Sequence, residues 1–183
     1  MINSTETYWF PMRVTYGREM IIKQHLDMMG IECFLPMCYK IVEENGKRIH
    51  KLVPAINNLV FIHSTFEKIT KLKMFDKRLE PLRYMMKVSN IDETRDIMTV
   101  SVTSMDNFMK VTKEPSEKVF FLKPGDYVYN NVGKKVKIFD GPFAGVVGII
   151  KRIKRNKHVV VQIENIAAAA IEFVPTNYMM EIL

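Results

Sequence analysis

The residues able to do chemistry in this 183-residue chain are scattered. His25, His50, His63 and His158 stand far apart, and none has the spacing of a metal site or of a base held beside a nucleophile. Cys33 and Cys38 lie within an apolar stretch, without the paired CxxC spacing of a zinc site and too few for a disulfide framework. Both read as small core residues. With no acid–base pair, metal cluster or phosphate loop in view, the expectation is a protein without catalytic activity, cofactor or metal. What remains is charge: 27 Lys and Arg against 20 Asp and Glu leave a net +7. Such an excess suits a polyanionic partner, because protein cations replace counterions condensed on phosphates. It is shared between the two parts, +4 in residues 1–124 and +3 in residues 125–183, and is not held in a tail.

The elements that must position these groups follow from pattern. No stretch approaches the roughly 18 uninterrupted apolar residues of a membrane span, and Met1 to Thr7 is polar without a basic start, so a cytoplasmic protein with no membrane partner is expected. Trp9 to Val14 reads as a strand with Phe10, Met12 and Val14 on one face, and Pro11 implies an edge position or a bulge. Arg18 to Met29 is helical, with Ile22, Leu26 and Met29 on one stripe and Gly30 at the C-terminal cap. Glu32 to Val42 and Arg48 to Val53 form a hairpin through Asn45-Gly46. Leu59 to His63 is a strand leading through the capping pattern Ser64-Thr65-Phe66-Glu67 into a helix that carries Ile69, Leu72 and Phe75 inward. Leu82 to Lys87 is a further strand, Ser89 to Asp96 is loose and polar, and Ser104 caps a short helix through Lys110.

From Val111 to Lys123 the apolar period fades. After Pro124-Gly125-Asp126 come short strands at Val136 to Phe139, Val146 to Ile153, Val159 to Ile163, Ile171 to Val174 and Tyr178 to Ile182, the spacing of a small barrel. Turns fall at Asp140-Gly141-Pro142 and Arg155-Asn156-Lys157. The Ala167 to Ala170 run favours helix by composition, yet its Ile and Phe neighbours favour strand, and it reads as loop and strand.

Within Gly133 to Ile153, GKKVKIFDGPFAGVVGIIKRI, Asp140 and Gly141 permit a reversal between two strands, Phe143 stands in the turn, and Gly148 interrupts the second strand where another segment approaches closely or a bulge forms. This segment resembles a KOW motif, and Asp140-Gly141-Pro142-Phe143-Ala144 is similar to the corresponding turn of bacterial NusG. Trp9-Phe10 resembles the Trp-Tyr pair that opens the NusG N-terminal (NGN) domain. HLDMMGIECFLPM (His25 to Met37) resembles the same region of the RfaH branch, and VPAINNLVFI (Val53 to Ile62) resembles the strand entry of NGN domains. The ordered resemblance covers nearly the whole chain. It departs from the family at Asn57 and Leu59, where Pro and an aromatic are usual, and at Arg13, where RfaH presents an aromatic. The N-terminal half is closer to the RfaH and UpxY-like antiterminators than to housekeeping NusG.

The resemblance implies an α+β fold: an NGN domain of antiparallel sheet with flanking helices over 1–110, a linker over 111–124, and a small SH3-like KOW β-barrel over 125–183. It implies a transcription elongation or antitermination factor that docks on the clamp helices of the largest RNA polymerase subunit through Trp9, Ile56, Leu59, Phe61, Tyr84 and Met86. Each of the six could equally pack in the core of its own domain, since alternation does not tell which face is covered. For the non-template DNA strand the resemblance points to Arg18, His25, Lys73 and Arg78. Arg18 and His25 nearly superpose at about 100° per helical residue. His25 also lies between Ile21, Ile22 and Met29 in projection, the setting of a core histidine, and the cations suit a solvated face equally well. In the barrel, Phe143, Lys151 and Arg152 would recruit Rho or the ribosomal protein NusE; the basic run 151–157 reads either as RNA contact or as a charged hairpin guarding against edge pairing. Ribosomal proteins also carry KOW motifs, so a ribosome-associated RNA-binding protein is the competing reading. The first 110 residues favour transcription.

Overall fold

The computed structural model describes residues 3–88, 94–122, 133–163 and 165–182, and the chain resolves into two compact units, Met1–Pro36 with Ile56–Val102 and Met37–Ala55 with Thr103–Leu183. In chain order, β1 (Thr7–Val14), α1 (Glu19–Met28) and β2 (Cys33–Phe34) lie in the first unit. The hairpin β3 (Met37–Glu44) and β4 (Lys47–Pro54) belongs to the second. The chain returns to the first unit with β5 (Leu59–Thr65), α2 (Phe66–Phe75), β6 (Leu82–Tyr84) and the short pair β7 (Met86–Val88) and β8 (Arg95–Ile97). The turn expected at Pro124-Gly125-Asp126 and most of the segment Ser89 to Asp96 lie outside the described residues.

The first unit is built on an antiparallel sheet of order β2-β5-β1-β6. Phe10, Met12 and Val14 of β1 share a face with Val60 and Ile62 of β5, as alternation predicts, and form a core with Ile22 and Leu26 of α1, Ile69 of α2, Leu79 and Leu82. Each such side chain contributes about 1.5–3 kcal/mol by leaving water. The edge position inferred from Pro11 is corrected: β1 is central. On the flank that Pro11 faces, β6 pairs only Met12 to Val14 while Val100 N–H donates to Trp9 O at 2.8 Å, so the missing donor falls where β1 changes neighbours. Gly30, at φ +63, caps α1 as expected. The cap of α2 is Thr65, whose hydroxyl accepts from Lys68 N–H at 3.1 Å, one residue later than the pattern suggested. Phe75 does not turn inward; it is 82% exposed, because six residues beyond Ile69 the 3.6-residue period has carried it off the buried stripe. The run Glu32 to Val42 is split by Leu35-Pro36: β2 pairs with β5, while β3 pairs with β4 through Asn45 and Gly46, both at positive φ.

The second unit holds that hairpin, α3 (Val102–Thr112) and a six-stranded antiparallel sheet of order β14-β10-β11-β12-β13-β9. Its strands are β9 (Val119–Phe121), β10 (Lys135–Ile138), β11 (Val147–Ile153), β12 (Asn156–Ile163), β13 (Ala167–Ile171) and β14 (Met179–Glu181). Residues 119–121, assigned to a linker from sequence, are the edge strand: Val119 to Phe121 pair with Ile171 to Ala169. Three apolar residues were too short a period to stand out. The alanine run is a strand whose every residue is buried, paired on both sides. Strand pairing overrides alanine's helical propensity because small side chains fit a strand covered on both faces. Ala168 and Ala170 pack with Leu122 and Val160, while Phe121, opposite Ala169, meets Phe108 of α3 edge to face at 6.4 Å. Asn107 of α3 brackets the start of β11, its Oδ1 accepting from Val147 N–H at 2.8 Å and its Nδ2 donating to Val147 O at 2.5 Å. Gly148 answers a close approach: a Cβ there would lie 2.5 Å from Val159 Cγ1 and 2.9 Å from Val160 O.

Candidate functional site

Register settles which apolar candidates lie together. Trp9 opposes His63, Pro11 opposes Phe61, Arg13 opposes Leu59, and Phe34 flanks Phe61, so these side chains share the sheet face turned away from α1 and α2. Trp9 stacks on His63 at 4.7 Å and 13°, and His63 Nδ1 is held by Glu32 at 2.6 Å. Trp9, Leu59 and Phe61 are buried, at 2%, 4% and 0% exposure, so the exposed patch sought among them from sequence is not on the surface in this structure. Tyr84 lies on the opposite face, edge-on to Phe10 at 5.7 Å, with its hydroxyl 3.1 Å from that of Thr70. Burial raises its pKa. Ile56 is half-buried in the loop before β5, and Met86 of β7 is exposed. The six therefore form one trio, one residue on the other face and two flanking positions.

The basic candidates separate in the same way. Arg18 does not superpose on His25 because it precedes the first helical residue of α1, at φ −97 and ψ 19. It is exposed, with its guanidinium 5.6 Å from the ring centroid of Tyr16. His25 is buried on the core side, and its Nε2 lies 2.6 Å from Asp76 Oδ2. Arg78 reaches the same carboxylate through Nε at 3.1 Å and Nη2 at 3.3 Å, and Asp76 also accepts from Arg78 N–H. Arg78, then His25, hold the Asp76 carboxyl well below the usual carboxylate range. His25 is thus a core residue that ties α1 to the segment after α2, and Arg78 keeps its guanidinium at the surface while paired. Lys73 sits over the Tyr84 ring at 4.7 Å, and burial together with the nearby charge of Arg83 lowers its pKa.

In the second unit, Phe143 is half-buried in the turn between β10 and β11, where Asp140 Oδ1 accepts from Gly141 N–H at 2.7 Å. Lys151 is half-buried, which lowers its pKa, and Arg152 is exposed on the same strand. The reversal after them is made by Lys154 and Arg155, both at positive φ. Among the described residues no group of His, Cys, Asp and Glu is placed to hold a metal ion, and no helix is long and apolar enough to cross a membrane. Sequence reasoning missed the juxtaposition of Arg13 and Arg83, which needs the pairing of β1 with β6.

Antiparallel sheets with a few flanking helices make this a mixed α/β fold whose conspicuous groups lie on sheet faces and turns. A family model described as "Transcription termination factor nusG" matches residues 7–118, more than half of the chain. The chain belongs to the NusG family of transcription factors. Among solved structures, "Domain interaction in Thermotoga maritima NusG" is 16% identical, covering 99% of this chain and 100% of that one with a TM-score of 0.44. "Crystal Structure of MjSpt4:Spt5 complex conformation B" is 15% identical, covering 95% and 96%, with a TM-score of 0.27. No curated protein matches the chain.

Proposed function

We propose that this protein is a transcription elongation and antitermination factor of the NusG family, acting by binding and without catalysis of its own. Its first unit binds the clamp helices of the largest RNA polymerase subunit, and its KOW segment, folded as a small barrel, recruits a second factor, Rho or NusE. The family match over residues 7–118, which spans the whole four-stranded sheet, carries the reading. The sheet carries a second apolar face, Trp9, Leu59 and Phe61, separate from the face that forms the core with α1 and α2, and its three side chains are buried in this structure. Met86 and Ile56 flank the region from more accessible positions. Arg18, Lys73 and Arg78 supply cations toward the non-template strand, and Phe143, Lys151 and Arg152 serve the recruited factor. The likeness of His25 to Met37 to the RfaH and UpxY-like branch favours action on selected operons.

The test is transcription in vitro by the cognate polymerase with the full chain added. Altered pausing or termination is expected, with Met86→Glu and Ile56→Glu weakening polymerase binding about tenfold, a loss of roughly 1.4 kcal/mol, at unchanged melting temperature. A protein that neither binds polymerase nor changes pausing, and instead sediments with ribosomes, rejects the proposal.

A further inference from the structure

We propose that the outer edge of β3 in the second unit is an interface on which a second copy of this chain lays its own β3 antiparallel, giving a sheet of order β4-β3-β3-β4. The hairpin is almost fully open to solvent: of residues 39–52 only Val42 is half-buried, and the rest are exposed. β3 and β4 pair with each other alone, as a two-stranded sheet. Such a pair is marginal in water until further strands or a cover join it. Register puts Tyr39 opposite Leu52 and Ile41 opposite His50, so one face carries Tyr39, Ile41 and Leu52, at 59%, 62% and 43% exposure. Among the described residues, no backbone hydrogen bond beyond the hairpin's own ladder involves residues 37–54, which leaves the eight-residue edge of β3 open to another strand.

Charge selects the occupant. Along β3, Lys40 precedes Val42 by two residues and Glu44 follows it by two, so the strand is complementary to itself when reversed. With two copies antiparallel about Val42, Lys40 of each stands opposite Glu44 of the other, and Ile41 opposite Glu43. Opposed residues of an antiparallel ladder share a face, so Tyr39, Ile41 and Leu52 of both copies gather on one side. The main chain fits the same register. The residues flanking the two-residue turn at Asn45-Gly46 form a hydrogen-bonded pair, so Glu44, Val42 and Lys40 point their N–H and C=O groups at β4, and those of Tyr39, Ile41 and Glu43 point outward. Lys40 lacks an anion of its own: it faces Lys51 across the hairpin, and among the described residues no carboxylate forms an ion pair with it. Glu44 already holds Lys51, and its carboxylate can accept a second cation. The β4 edge does not suit its own copy, because Lys47, Arg48 and Lys51 would meet like charges. A twofold axis at Val42 forms both Lys40 to Glu44 pairs at once and closes the assembly at a dimer.

The test is the oligomeric state of the full chain, read by sedimentation velocity at low salt. Concentrations run up to about 100 µM, roughly ten times the dissociation constant of about 10 µM expected of a small interface. Wild type is expected to pass from monomer to dimer and to stop there. Lys40→Glu sets carboxylate against carboxylate at both pairs, and Glu44→Lys sets ammonium against ammonium, so each variant alone should self-associate about tenfold more weakly or worse. Mixed in equal amounts, the two should dimerise again, because the first is acidic at both positions and the second basic at both. Melting temperatures within about 2 °C of wild type would show that exposed substitutions of this kind leave the fold intact. A wild type that stays monomeric leaves the edge to some other occupant and overturns the proposal. Assemblies that grow past the dimer, as pairing of β3 with β4 of the next copy would produce, overturn it too, as does dimerisation indifferent to Lys40→Glu or a mixture no more associated than its parts. Because no polymerase is present, failure of the clamp-helix reading leaves this result unaffected.

Discussion

Replacing Gly148 with alanine adds one methyl group at the tightest approach in the six-stranded sheet. The new Cβ would stand 2.5 Å from Val159 Cγ1 and 2.9 Å from Val160 O. Val159 and Val160 are 3% and 1% exposed, so neither can swing into solvent, and a carbonyl engaged beside β11 cannot retreat without bending β12. Overpacking of this kind costs about 1–3 kcal/mol. The alanine also restricts the unfolded chain, which returns about 0.4–1 kcal/mol. The net expectation is a loss of about 1–2 kcal/mol, or a fall of roughly 2–8 °C in melting temperature for a chain of this length. Differential scanning calorimetry and urea unfolding of the full chain measure it. Val159→Ala removes the nearer clash but leaves the carbonyl, so the double variant should lose less than the sum of the two single changes. A Gly148→Ala protein that melts at or above the wild type would refute the argument, as would strict additivity with Val159→Ala.

Two further outcomes follow from the titrating groups. The Asp76 carboxyl is held below the usual range by Arg78 and His25, so its contribution to stability is present above the unfolded pKa of about 3.9 and is lost as pH falls toward the folded value. Asp76→Asn should therefore lower the urea midpoint at pH 7, and its difference from wild type should shrink below about pH 4; a difference that is constant with pH counts against the assignment. Cys33 is pushed up to about 12 by burial first and then by Asp27, whose carboxylate lies 3.4 Å from its sulfur. Against an ordinary thiol near 8.5, its thiolate fraction at pH 8 falls roughly a thousandfold, and alkylation followed by mass spectrometry should find it nearly inert until the protein unfolds.

Much of the first sheet was legible because its strands carry a clean period of two: Phe10, Met12 and Val14 face the core as their spacing requires. The hairpin at Asn45-Gly46 and the close approach at Gly148 were likewise local chemistry. What escaped depends on partners distant in sequence. Tyr84 and Phe61 both read as strand aromatics, and only the pairing of β1 with β5 and β6 puts them on opposite faces. The Arg13 and Arg83 pair needs the same register. His25 could be a nucleic-acid contact or a core residue by helical projection, and Asp76, 51 residues away, ties it into the core. Ala167 to Ala170 took its conformation from β12 and β9, against its own propensity.

The grip of Asn107 on the backbone of Val147 links inheritance across the chain. The helix that holds it falls inside the segment matched by the family model, yet its hydrogen bonds belong with the sheet that follows. An expression fragment ending at residue 110 would cut α3 short of Thr112, part Asn107 from its two bonds and leave Phe108 without Phe121. The contacts place the seam at Val102 instead, the first residue of the helix. In recombination between relatives, the two portions would then have to be exchanged with α3 kept beside the C-terminal strands, and a crossover behind it would pair a foreign helix with a β11 it had never met.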